Sequence, residues 1–410
     1  MFKALKSRNF KLFFYGQSVS VIGTWLQKTA VSWMVYSITG SVFLLGLATF
    51  LSMIPSLFLA PLAGSIIGRY DRHRSMIILQ SLAMLQAGAL AILIYLKIYN
   101  INIILTLTFI QGIINAFDVT CRQTMMVDIV DNKEDLPNAV ALNSTLTNFA
   151  RIAGPAFAGI ILSTYGEDIC FIGNFLSYIP VLICLLLMKI EPYTKPTTKL
   201  KMVDDFIEGL NYIQKESDMA KMLLMLTSSS LFVISFNTLM PVFAKDIFHG
   251  DAQTFSWFES AAGIGSILSA IYLANLKSNK GITKITIAAS FLLGFSIIIL
   301  SISTNLMLAL ICMILSGIGM MAQTSSINIY IQTKSASQMR SRSISFYMMA
   351  YQGMIPLGSL LVGYMSHIIG TRQTVAIEGI ICLLSTILFT YSKKSKISEK
   401  QQSCPVSYKQ

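Results

Sequence analysis

The chain has 410 residues, 54% of them hydrophobic and only 12% charged, where a soluble domain carries about 25% charged residues. That is too little charge to cover the surface of a soluble core of this size, which argues against a water-soluble enzyme or binding domain. The net charge of +12 raises nucleic acid as a partner, and the placement of the basic residues decides against it.

Long apolar runs recur from Leu12 to Thr390 and predict an all-α membrane protein with twelve transmembrane helices. In chain order the spans cover 11–37, 42–67, 75–97, 101–124, 137–164 and 169–189, then 219–245, 252–275, 283–303, 306–331, 343–368 and 372–391. Each has about 19–28 residues, enough to cross a hydrocarbon core with some tilt. With the N-terminus placed inside, one set of loops holds 26 of the 31 basic residues. The opposite loops hold only Lys97, Lys245 and Arg372. This positive-inside bias predicts a multi-pass membrane protein, with the lipid bilayer as its surroundings and both termini in the cytoplasm. The basic balance is then a topology signal, and no nucleic acid is needed to explain it. A retained first span, not a cleaved signal peptide, is expected at the N-terminus.

The polar stretch between Lys189 and Lys221 divides the chain. A six-helix half is expected at 1–189, a cytoplasmic linker at 190–218, a second six-helix half at 219–391 and a cytoplasmic tail at 392–410. In the linker, Val203, Phe206, Ile207, Leu210 and Ile213 fall on one face of a short amphipathic helix. The halves echo one another: Gly154-Pro155 in the fifth span matches Pro356-Leu357-Gly358 in the eleventh. Two pseudo-symmetric halves with a site at their interface are a usual transporter plan.

Three segments, taken in order and spacing, resemble the major facilitator superfamily, in its bacterial branch of enterobactin-exporter-like and multidrug efflux proteins. They are the opening ALKSRNFKLFFYGQSVSVIGTWLQKTAVSWMVYSITGS, the stretch FDVTCRQ followed by EDLPNAVALNSTLTNFARIAGPAFAG, and MRSRSISFYMMAYQGMIPLGSLLVG. The resemblance spans essentially the whole chain and implies a secondary transporter of a bacterial cytoplasmic (inner) membrane. It also implies a cytoplasmic gate loop at Gly64, Arg69, Asp71, Arg72 and Arg74, and an interface motif of the fifth helix at Gly154, Pro155 and Gly159. Two departures stand out. Gly68 occupies the place of the usual gate acid, with an acid at Asp71 instead, and Thr108 stands where drug antiporters often carry an arginine.

Charges inside a membrane span are costly and ask for a reason. Lys28, Asp118, Arg151, Glu259 and Glu378 lie within the predicted spans. Asp118 is at a depth that suits a pair with Arg151 or Arg122, either as a structural ion pair or as a proton-coupling group. Glu259 is the second coupling candidate, with Lys28 as its partner, and Glu378 is expected to be structural. Small residues around Gly154 let another helix approach closely, and Pro155 removes a backbone hydrogen bond. This segment is expected to form the contact between the halves. Trp25, Trp33, Tyr36, Phe236, Tyr347 and Tyr351 are candidate walls of a substrate cavity.

The function expected is proton-driven efflux of a small amphipathic compound (a drug, siderophore or other metabolite) by a monomer, with protons and the small molecule as its partners. A proton-coupled nutrient importer and a non-transporting sensor of transporter descent are the alternatives. An ATP-driven pump would need a phosphate-binding loop, and the sequence has none. Six singly scattered cysteines and three histidines form no disulfide framework, metal set or catalytic constellation. No cofactor is expected.

Overall fold

The computed structural model describes residues 3–67, 70–190, 202–276, 281–336 and 338–402, and every regular element among them is helical. Helices α1 (Arg8–Thr39), α2 (Val42–Ile67), α3 (Arg72–Tyr95), α4 (Ile101–Ile129), α5 (Leu136–Thr164) and α6 (Glu167–Leu187) run up and down as one set. The short α7 (Met202–Lys215) follows. Helix α8 (Ser217–Ser228) continues through a π turn (Ser229–Val233), a 3-10 stretch (Ile234–Leu239), α9 (Met240–Val242) and a second π turn (Phe243–Ile247). Then come α10 (Ala252–Ala274), α11 (Ile282–Ile302), α12 (Leu306–Lys334) and α13 (Arg340–Met348). A π turn (Met349–Gly353) joins α13 to α14 (Met354–Ile369), and α15 (Thr371–Gln402) closes the second set.

Ten helical stretches among the described residues are long and apolar enough to cross a membrane. Two further long stretches, α1 and α13 to α14, are not among those ten. Helix α1 carries Lys11, Gln17, Gln27 and Lys28 along its length. Both belong to the bundle all the same: α1 packs on α5 and α6, and α14 packs on α2 and α15.

Helix starts are set locally. The carboxylate of Asp71 accepts from the amides of His73 and Arg74 at the head of α3, and Asp251 does the same for Gln253 and Thr254 at α10. Asn100 and Asn305 cap α4 and α12 through amides two and three residues on. Each side chain supplies an acceptor to amides that have no partner in the first turn. Gly40 lies in the left-handed region (φ 60°) and turns the chain between α1 and α2.

Between helices in lipid, close packing takes over from the hydrophobic effect. Helices α10 and α12 meet at Gly265 and Gly317, where an added methyl would overlap the backbone of Ile314 and Ala262. The second set encloses a core of Phe236, Phe243, Phe258, Leu293 and Met313. The first set holds one core around Phe10, Met125 and Ile129 and another around Met34, Leu90 and Phe171.

Helices up to α6 pack among themselves, as do those from α8 to α15, and the two sets meet chiefly along α2–α14 and α5–α10. The start of α1 marks what is here termed the near end of the bundle, and the turn at Gly40 marks the far end. Contacts between the sets gather at the far end. Tyr36 Oη donates to the Asp246 carboxylate, and Lys245 Nζ donates to the Ser37 carbonyl at 3.2 Å. Trp33 stacks on Phe255 with ring centroids 6.3 Å apart. A methyl on Gly46 would lie 3.1 Å from the Gly363 Cα.

The linker helix α7 docks on the second set, where Glu208 pairs with Arg342 at 2.7 Å and Gly209 faces the Phe346 ring. Of its predicted apolar face, Ile213 is buried while Ile207 and Leu210 are exposed. The sequence expectations for 191–199, Arg69 and the end of the tail lie outside the described residues, as do the surroundings of Gly64 and the side chains beyond Tyr391.

Candidate functional site

A cavity of about 430 Å³ opens inside the first set, lined by α1, α2, α3, α4 and α5. Helical spacing builds its walls. On α4, Thr108, Gln111, Asn115 and Arg122 recur at three-, four- and seven-residue steps and fall on one face. On α1, Thr24, Trp25, Lys28 and Val31 do the same. Gln86 of α3 and Asn143 and Thr147 of α5 complete a wall rich in amides and hydroxyls. Gln123 and Asn143 lie about two turns from the near end of their helices. The volume is that of a pocket for a drug-sized molecule.

Lys28 and Arg122 are the charged residues lining this cavity. Lys28 is exposed to it, with Nζ 4.7 Å from the centre of the Trp25 ring. The Arg151 guanidinium sits 5.6 Å from the same ring, so one indole serves two cations. Glu259 of α10 lies within electrostatic reach of both Lys28 and Arg151. It brings a carboxylate of the second set to two cations of the first.

Asp118 is buried beside a smaller adjoining cavity. It accepts from Gln80 at 2.6 Å and forms an ion pair with Arg122 one turn along α4. The expected alternative of Arg151 as its partner is corrected, because α5 turns Arg151 towards Trp25 and Glu259. A buried amide chain backs the cavity: Asn174 donates to Gln27 at 2.7 Å, Gln27 donates to Gln86 at 3.2 Å, and Gln86 donates to the Leu107 carbonyl at 3.1 Å. These bonds tie α1, α3, α4 and α6 into one block.

Several sequence expectations are redistributed. Of the six aromatic candidates only Trp25 lines the cavity among the described residues. Trp33 and Tyr36 serve the far-end contact, Phe236 is core, and Tyr347 is buried with its hydroxyl on the Thr324 carbonyl. Bulky rings gain more from close packing in the core than from a wet wall. Gly154 does not meet the other set: a methyl there would collide with Trp25 Cβ of α1. Gly159, five residues and about 140° further round α5, is the one that faces α10, against Ser256 and Gln253. Gly263 of α10 answers it by facing Ile152. Pro155 is buried within an α5 that stays helical throughout. Glu378 is buried in α15, away from the cavity, with no hydrogen-bond partner on either oxygen.

At the gate loop, Asp71 is the cap of α3 and pairs loosely with Arg74 at 3.7 Å. The stronger link is Arg72 to Asp128 on α4, at 2.8 Å. Sequence reasoning passed over Asp128, and it also passed over the cavity amides. The signal for those was present: Gln111, Asn115, Gln27 and Gln86 are uncharged polar residues repeated along one face of apolar spans.

Comparison with known proteins agrees with this geometry. The chain is 28% identical over 404 residues to the staphyloferrin A transporter of Staphylococcus aureus, covering 97% of this chain and 100% of that one. It is 21% identical to macrolide efflux protein A of Streptococcus pyogenes, covering 92% and 96%, and 20% identical to the multidrug efflux pump Tap of Mycobacterium tuberculosis, covering 88% of each. Among solved structures, an inward-facing, unoccupied bacterial homologue of the human lysosomal transporter Spinster superposes with a TM-score of 0.74 at 12% identity, covering 95% and 98%. An inward-facing bacterial homologue of the iron transporter ferroportin gives 0.71 at 15% identity, covering 94% and 98%. At such identities these two speak for the fold alone. The family described as transmembrane secretion effector matches residues 1–409. With a helical bundle, a cavity within it and relatives that are transporters rather than enzymes, the chain belongs to that family of the major facilitator superfamily and is a multi-pass membrane transporter.

Proposed function

We propose that the chain is a proton-driven exporter that carries a small molecule out of a bacterial cytoplasm, acting as a monomer of two six-helix halves. The carrying observation is the charge cluster across the halves, Glu259 of α10 within electrostatic reach of Lys28 and Arg151, where Lys28 lines a cavity that extends towards the near end. The positive-inside bias makes the near end cytoplasmic, so the closed far end is the outer gate and the cavity loads from inside. Opening the far end would draw α10 away from α1 and α5. Glu259 would then part from both cations, so its charge partners would differ between the two states. Closing would restore them, and this alternation of partners makes Glu259 the proposed coupling group. Relatives named for macrolide and multidrug efflux favour the outward direction for the substrate.

The test is transport in inverted vesicles containing the protein, with erythromycin, ethidium and citrate as probes, with and without a proton gradient. The expected result is accumulation of at least one probe that collapses when an uncoupler removes the gradient. Undiminished accumulation after the uncoupler, or none of any probe, would overturn the reading.

A further inference from the structure

The cavity carries an electrostatic preference that its volume and hydrogen-bonding groups alone do not convey. Its charged lining consists of two cations, Lys28 and Arg122, and no carboxylate lines it among the described residues. Arg122 is already satisfied by Asp118 behind the wall. Lys28 is different: among the described residues it has no carboxylate within 4.0 Å, and its ammonium stands exposed in the cavity on the Trp25 ring. Arg151 adds a second positive charge on that same ring, and Glu259 is shared between the two cations. The balance around Trp25 is therefore positive.

This arrangement discriminates by charge. An aromatic ring in a transporter cavity is usually a platform for organic cations, but here both protein cations already draw on the indole's negative face. A lipophilic cation entering the site would meet Lys28 at close range with no lining carboxylate to offset the repulsion. An anion would instead gain a charge-assisted hydrogen bond from the Lys28 ammonium. The rest of the wall sets scattered polar groups on a largely apolar surface. Among these, Gln111 and Asn115 can each present a donor or an acceptor to a carboxyl group.

We infer that the cavity takes a carboxylate-bearing molecule and rejects lipophilic cations, with Lys28 on Trp25 as the group that reads the negative charge. The inference rests on the export reading for the direction of transport but not for the charge of the substrate. It also places Lys28 between two carboxylates, the substrate's and Glu259's. Substrate in the cavity would loosen the hold of the first half on α10.

The test is a binding titration on the purified full chain in nanodiscs, read by tryptophan fluorescence. Citrate, its neutral trimethyl ester and tetraphenylphosphonium are the probes. Citrate is expected to give a saturable change, and the ester and the cation none. Lys28→Gln should weaken citrate binding about ten-fold or more, as loss of a charge-assisted contact does. Lys28→Arg should keep most of it. Because Lys28 faces the cavity rather than the core, both variants are expected to keep the thermal stability of the parent, which is measured alongside. Saturable binding of tetraphenylphosphonium, equal binding of citrate and its ester, failure of citrate to bind, or a Lys28→Gln variant of parental affinity would each overturn the inference. Gradient-driven transport of a cation or neutral drug would do so too, while leaving the export reading standing. Citrate binding without gradient-driven transport of any probe would uphold the inference and remove the export reading.

Discussion

Asp118 and Glu259 look alike in the sequence, each an acid in an apolar span, but their neighbours give them different work. Asp118 is committed within the first set, to Gln80 and to Arg122. Replacing it with Asn leaves the half-buried Arg122 without its carboxylate, at a cost of about 1–3 kcal/mol. We expect Asp118→Asn to lower thermal stability measurably in a detergent melt. Glu259 instead faces cations of the other set, so its surroundings change whenever the sets separate. Glu259→Gln should abolish gradient-driven accumulation in vesicles while downhill exchange of substrate continues. Uphill transport at the parental rate by that variant would remove Glu259 as the coupling group. At this scale the aromatic residues misled the sequence reading, because a ring's place in wall, gate or core depends on which helix face turns inward.

Helix α5 shows what an element adds to its residues. It packs on α1 within its own set and on α10 of the other. Its two motif glycines serve different partners, since five residues carry the surface nearly half-way round the helix. Gly154→Leu would drive a side chain into Trp25 and the backbone of α1, which belongs to the fixed block. The expected result is a destabilised, poorly monodisperse protein in size-exclusion chromatography. Gly159→Leu meets Ser256 and Gln253 across the α5–α10 contact between the sets. That variant should insert and fold as well as the parent yet fail in vesicle transport. If Gly159→Leu transported normally, the α5–α10 seam would not be the sliding surface.

The whole molecule combines a closed far end with a cavity confined to the first set's helices, and the second set covers α2 and α5 through small-residue contacts. The proposed orientation rests on the loop charges, from which the 190–218 linker is expected in the cytoplasm. A single cysteine at Lys195, in a background lacking the native cysteines, should react with an impermeant maleimide in inverted vesicles and stay unlabelled in intact cells. Labelling only from outside the cell would reverse the topology, and with it the direction of transport proposed above.

Sequence by itself determined the solvent and the class: runs of about twenty apolar residues with few charges have no stable home but lipid, and their order and spacing carried the resemblance to the superfamily. It also marked the expensive residues, since an ionisable group in a span is conspicuous against an apolar background. Partners were another matter. Arg122 rather than Arg151 beside Asp118, Gly159 rather than Gly154 at the seam, and Asp71 as a helix cap all depend on the rotation of one helix against another. Periodicity along a chain says which residues share a face, but only packing in three dimensions decides what that face meets. In a bundle where nearly every face is apolar, the cavity goes to the faces whose amides and single exposed lysine need water or a polar guest.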